Sequence, residues 1–189
     1  MPNVIVISGA NGAGKSTLAP YLLRDDLGIA EFVNADTIAQ GLSAFAPEKS
    51  ALTAGKIMLS HMKELAEQRK DFAFETTLAA RFYAKWLSEL QSNGYKFHLV
   101  FLYLPNVELA IERVRLRIRL GGHSIPEDVI RRRYAKGLRN FFGFYKPLAD
   151  KWRLYEVSEE PLLIASGEKS GKINVVEARL WDKIQRSKK

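Results

Sequence analysis

The chain contains no cysteine. That excludes a disulfide framework, a thiolate zinc site and a cysteine nucleophile, and it suits a reducing compartment. No apolar run approaches the roughly 18 residues a membrane span needs, and the N-terminus enters a strand pattern without a basic, apolar leader. A soluble, cytoplasmic protein with no membrane partner is expected. Internal repeats and low-complexity tracts are also missing. The 189 residues therefore suit one domain, long enough to bury roughly 70% of its unfolded surface. An Asn-Lys-x-Asp base-reading motif is absent, which weighs against a switch GTPase. No apolar strand ends in the Asp that commonly accompanies a phosphate loop; Glu75 is the nearest substitute.

Basic residues are in excess, for a formal net charge of +8. Much of the surplus lies between Ile111 and Arg139, where Arg113, Arg115, Arg117, Arg119, Arg131, Arg132, Arg133, Lys136 and Arg139 face only Glu112, Glu127 and Asp128. Such a cluster can hold a triphosphate and an anionic substrate, clamp a nucleic-acid backbone, or simply form solvated helix faces.

The most informative stretch is VIVISGANGAGKST, residues 4–17. A β-branched apolar run, as in a buried parallel strand, leads into a glycine-rich turn, a lysine and two hydroxyl residues. Gly9, Ala10, Asn11, Gly12, Ala13, Gly14, Lys15, Ser16 and Thr17 form the expected ATP-binding loop. Its backbone N–H groups cradle phosphate oxygens, Lys15 reaches the outer phosphates and the Ser16 hydroxyl serves as a Mg²⁺ ligand. A helix over about 15–24 places its N-terminus at the phosphates.

Further along, Gly28 ends a connection and residues 31–34 read as a second strand, closing on Asn34, Ala35 and Asp36. Ligands of open parallel sheets gather beyond the carboxyl ends of strands, so Asp36 is a candidate site residue; the plainer alternative is an Asp capping a helix from about Thr37. A helix spans about 47–69, with Met58 and Met62 in its core face. Residues 72–75 form a third strand ending in Glu75, Thr76 and Thr77. A helix over 81–91, a strand over 95–104 containing a structural His98, and an arginine-rich helix over 106–120 follow.

In that last helix Arg113 and Arg117 flank one side, Arg115 and Arg119 the other, so one pair faces the site. Gly121-Gly122-His123 breaks it. Ser124 to Glu127 resembles a capping box opening a second helix, in which Ile130, Tyr134, Leu138, Phe141, Tyr145 and Leu148 make an apolar stripe and Arg132 points to solvent. Two arginine-rich helices joined by glycines suggest a lid, about 111–145, over phosphates. Residues 152–157 and 161–165 read as strands, 167–172 as a loop and 175–185 as a closing helix. The expected fold class is α/β: a single-domain P-loop NTPase or kinase fold over 1–189, with a largely parallel sheet, helices on both faces and an Arg-rich helical lid.

Two strand-end carboxylates and an arginine lid are what phosphoryl transfer to a bound hydroxyl requires: positioning, a proton acceptor and charge neutralisation. The alternatives are a nucleic-acid-binding P-loop ATPase or polynucleotide hydroxyl kinase, and a nucleotide-binding regulator without an acceptor.

The segments GANGAGKST, VNADTIA, FETTL and GGHSIPEDVIRRRYAKGLRNF, in this order, resemble the zeta toxin family of P-loop kinases over roughly residues 3–165. The resemblance implies ATP-dependent phosphorylation of a hydroxyl, with UDP-N-acetylglucosamine as the acceptor of characterised members; an antitoxin is a candidate protein partner. It implies that Asp36 is the base, that Glu75 and Thr77 lie at the substrate, and that Arg117 meets the transferred phosphate; Asn34 and Thr76, beside them at the same strand ends, are further substrate-binding candidates. The family's second lid arginine is replaced here by the GGHS turn, leaving His123, Arg131 and Arg133, together with Arg113, as candidate phosphate contacts.

Overall fold

The computed structural model describes residues 1–25, 29–44 and 46–187; Gly28 lies outside them. The chain runs through β1 (Asn3–Gly9), α1 (Lys15–Pro20), β2 (Phe32–Val33), α2 (Ala35–Leu42), α3 (Ala51–Glu67), β3 (Phe72–Thr76), α4 (Phe82–Ser92), β4 (Lys96–Tyr103), α5 (Val107–Arg119) and α6 (Glu127–Asn140). It ends with the short α7 (Lys146–Leu148), then β5 (Lys151–Glu156), β6 (Leu162–Glu168), β7 (Ile173–Val175) and α8 (Ala178–Ser187).

The strands form one sheet in the order β2-β3-β1-β4-β5-β6-β7. The first five are parallel, and β6 and β7 return antiparallel. Parallel strands sandwiched on both faces need continuous apolar sequence, and β1 and β4 have it: Val4 to Ile7 and Leu99 to Tyr103 are buried. Helices cover both faces. One core joins Phe72, Phe74, Phe97 and Leu99 to Met58, Met62, Leu87, Phe141 and Tyr145. The other joins Ile5, Ile7, Val100 and Leu102 to Ala19, Ile111, Val114 and Ile130. From β1 the chain goes outward to β2, returns to β3 beside β1, and then crosses to β4 on β1's other side. That reversal opens a crevice at the carboxyl ends of β1 and β3, where such sheets bind ligands.

Several expectations shift in detail. The helix after the phosphate loop is α-helical only to Pro20 and continues as a wider π turn over Tyr21–Asp25; Pro20 has no N–H for the regular ladder. The long helix expected from 47 begins as a 3₁₀ turn, Pro47–Ser50, before α3. In α3, Met58 and Met62 are core, whereas Ile57 is 40% exposed. The proposed capping box does not form. Pro126 precedes α6 without a side-chain cap, and the Glu127 carboxylate is taken by Arg115 and Arg131 instead. The closing helix starts three residues later than expected, at Ala178, because Ile173–Val175 pairs with β6 as an extra edge strand. The stretch read as a loop from Gly167 is mostly strand and a tight turn. His98 has the structural role expected, its Nε2 lying 3.0 Å from Asn3 Oδ1.

Candidate active site

β1 delivers the phosphate loop. Gly14, in the left-handed region, precedes α1, and Leu18 and Thr17 N–H groups close onto its carbonyl. Lys15 folds back over the loop and donates to the Ala10 carbonyl at 2.9 Å. Its ammonium is buried and lies 3.6 Å from Glu75 Oε1. Burial pulls the Lys15 pKa down; the Glu75 and Asp36 carboxylates oppose that shift and the Arg117 charge adds to it. Three expected site groups, Glu75, Asp36 and Arg117, therefore lie within electrostatic reach of a fourth, Lys15.

Glu75 is the hub. β3 pairs with β1 in a register that sets Ile7 opposite Glu75, bringing its side chain to the mouth of the loop. Ser16 Oγ donates to Glu75 Oε2 at 2.7 Å, and Asn34 Nδ2 donates to the same oxygen at 2.9 Å and to Ser16 Oγ at 3.3 Å. Asn34 does a second job: its Oδ1 accepts from the Asp36 and Thr37 N–H groups and caps α2. The cap is thus Asn34, and the Asp36 carboxylate is left for other work. Among the described residues no cluster of three or more His, Cys, Asp or Glu is placed to hold a metal. One hydroxyl and one carboxylate beside a triphosphate loop nevertheless fit Mg²⁺, which takes few protein ligands and completes its shell with phosphates and water. Ser16 and Glu75 would hold it.

Beside this hub a cavity of about 330 Å³ opens between α2 and the segment joining α5 to α6, lined by Asp36, Ala39, His123, Ile125, Val129 and Arg133 among others. Asp36 is half-exposed to it, and His123 Nε2 stands 3.5 Å from Asp36 Oδ2. Arg117 Nη2 lies 3.3 Å from the same His123 nitrogen and donates to the His123 carbonyl at 3.3 Å. Arg133 makes no ion pair among the described residues. Burial lowers its pKa, the nearby Asp36 carboxylate opposes that, and Arg132 adds to it. The cavity thus combines a carboxylate, an unpaired cation and apolar walls, as small-molecule sites do.

Not every candidate converges here. Arg113 donates to the Gly12 and Ser158 carbonyls at 3.4 and 2.5 Å, bracing the phosphate loop from behind. Arg131 pairs with Glu108 and Glu127, 2.9 and 2.8 Å from its guanidinium, and does not line the cavity. Thr76 Oγ1 accepts from the Leu78 N–H and shapes the loop after β3. Thr77 presents its carbonyl to Gly137 on α6, where a Cβ would overlap it. The walls contributed by Ala39, Ile125 and Val129 went unread in the sequence; small and apolar residues carry no chemical signal of their own.

The first 156 residues match the model of the zeta toxin family. An uncharacterized protein of Haemophilus influenzae is 29% identical over 130 residues, 69% of this chain and 91% of that protein. Among solved structures, the AvrRxo1-ORF1:AvrRxo1-ORF2 complex with sulphate ions superposes with a TM-score of 0.80 at 18% identity, covering 97% of this chain and 63% of that one. The same complex with ATP gives 0.77 at 20% identity and the same coverage. The chain therefore spans less than two thirds of that protein. The PezAT chromosomal toxin-antitoxin system of Streptococcus pneumoniae gives 0.64 at 16% identity over 99% of this chain and 86% of that one. The phosphate loop, its strand order and the family match agree: this chain belongs to the zeta toxin family of P-loop kinases.

Proposed function

We propose that the protein is an ATP-dependent phosphotransferase acting on a hydroxyl of a small, anionic molecule, with a sugar nucleotide such as UDP-N-acetylglucosamine as the first candidate. The observation that carries this reading is the cavity beside the phosphate loop with Asp36 on its wall and Lys15, Glu75 and Arg117 within electrostatic reach. The loop amides and Lys15 hold the donor phosphates. Asp36 accepts the proton of the acceptor hydroxyl as its oxygen bonds to the γ-phosphorus, the bond to the bridging oxygen breaks and ADP leaves. Arg117 answers the charge that develops on the transferred group. Mg²⁺, held by Ser16 and Glu75, would neutralise charge on the donor phosphates. Arg133 faces the cavity without a carboxylate ion pair among the described residues and suits an anionic part of the acceptor. The complexes formed by structurally similar proteins make a protein partner a further part of this proposal.

A radiolabelled ATP transfer screen across sugar nucleotides, nucleosides and RNA tests the reading. Transfer to one small-molecule class is expected, with Asp36→Ala binding ATP nearly as wild type and losing about 10²–10⁴ in turnover; an Asp36→Ala enzyme that keeps most of its turnover overturns it. The nucleic-acid alternative loses ground because Arg115 and Arg131 are already bound to Glu127 and Glu108. RNA or DNA binding that falls steeply with salt would restore it.

A further inference from the structure

We propose that His123 is a positioning residue that makes alignment of Asp36 conditional on donor binding. The inference rests on Asp36 being the base. Its ground is that a single ring nitrogen is shared: His123 Nε2 is 3.3 Å from Arg117 Nη2 and 3.5 Å from Asp36 Oδ2. In a neutral imidazole that nitrogen carries either a lone pair or a proton. With the lone pair it accepts from Arg117 and meets the Asp36 carboxylate acceptor to acceptor. With the proton it donates to Asp36 and gives up the Arg117 bond. The two arrangements exclude each other.

The arrangement around Arg117 is under-bonded. Among the described residues its Nε is buried with no partner, and its guanidinium meets one ring nitrogen and one carbonyl. No carboxylate pairs with it among the described residues. The turn that sets this up is closely built. Gly121, at φ 87°, and Gly122 end α5 with N–H bonds to the Ile118 and Arg117 carbonyls, the paired pattern that caps a helix C-terminus. Gly122 then lies on the Arg117 stem, where an added Cβ would be 2.6 Å from Cγ. A side chain at 122 would force the Arg117 stem to shift.

Phosphates arriving at Lys15 offer Arg117 charge-assisted bonds stronger than those to a neutral ring and a carbonyl. As Arg117 turns to them, His123 Nε2 is released. A proton leaves Nδ1 to solvent while another from solvent adds at Nε2, an exchange of tautomers that takes up no net proton. Nε2–H then donates to Asp36 Oδ2 and leaves Oδ1 to face the acceptor hydroxyl. His123 passes the state of Arg117 to the base.

Two-bond ¹H–¹⁵N spectra of the full chain labelled at histidine read the tautomer directly and need no acceptor, with His123 assigned by its loss in His123→Gln. The expected result is an Nε2 lone pair in the free protein and an Nε2–H after addition of a non-hydrolysable ATP analogue with Mg²⁺; the same tautomer in both states overturns the proposal. Kinetics supply the second readout. His123→Ala should lower kcat by about 10² through misplacement of the base while ATP binds no more weakly, and His123→Gln, with an amide N–H in place of Nε2–H, should recover most of the loss. A glutamine variant no faster than the alanine one, or ATP binding weakened in both, overturns the coupling. If wild type transfers no phosphate, or Asp36→Ala remains active, the base assignment fails instead, whatever the spectra show.

Discussion

At Glu75 one carboxylate meets Ser16, Asn34 and Lys15, so the residue expected at the acceptor lies against two phosphate-loop residues and is open to a donor-side role as well. The two roles separate kinetically. Glu75→Gln should raise the Mg²⁺ concentration needed for half-maximal activity by roughly 10–100-fold with little change in acceptor KM; a change confined to acceptor KM would return Glu75 to the substrate side. Lys15 is buried with Glu75 as its counter-charge, and Lys15→Ala should remove nucleotide-dependent activity altogether, which an unchanged kcat/KM would refute. Sequence spacing was enough to nominate Lys15, Ser16, Asp36 and Glu75, because phosphate binding and proton transfer demand particular functional groups. It could not rank the arginines. Arg113, Arg117, Arg131 and Arg133 are chemically alike, and only their neighbours divide them: carbonyls behind the loop for Arg113, His123 for Arg117, two glutamates for Arg131, and the cavity for Arg133.

Among the elements, α2 and α6 matter most to the site. α2 is started by Asn34, whose cap and whose bond to Glu75 tie the helix bearing Asp36 to the strand end bearing Glu75. Asn34→Ala should cost about 1–2 kcal/mol in denaturant unfolding and lower turnover, since α2 and Glu75 lose their common support. α6 comes within backbone contact of the loop after β3 at Gly137 and Thr77. Gly137→Ala should destabilise by about 1–3 kcal/mol as that contact is forced apart, and a thermal midpoint equal to wild type would show that the helix can shift freely. The periodic apolar stripe of α6 was readable in advance. Its start was not, because Glu127 could cap the helix or pair with arginine: Arg131 is one turn along the same helix, and Arg115 becomes available only once α5 and α6 lie side by side.

At the level of the molecule, α8 closes the core beyond the strands that carry the site. Trp181 stacks on Trp152 with ring centroids 5.8 Å apart and 12° between planes, and Ile184 is fully buried. Ile184→Ala should lower unfolding free energy by about 2–5 kcal/mol while leaving ATP affinity near wild type, because the phosphate loop lies at the other side of the sheet's centre. No helix among the described residues is long and apolar enough to cross a membrane. The alternation of elements announced a largely parallel α/β sheet, yet β7 escaped notice, since three residues become a strand only when β6 offers its edge.

What the sequence by itself determined is the chemistry available: a triphosphate loop, two carboxylates at strand ends and a surplus of arginine, each legible because local spacing and side-chain type suffice. What only the tertiary structure decided is which of these groups share a site. Residues from the start of α1, the cap and first turn of α2, the end of β3, α5 and the turn before α6 meet because parallel crossovers bring strand ends from distant parts of the chain into one crevice. Their distances depend on register and packing, which no local pattern encodes.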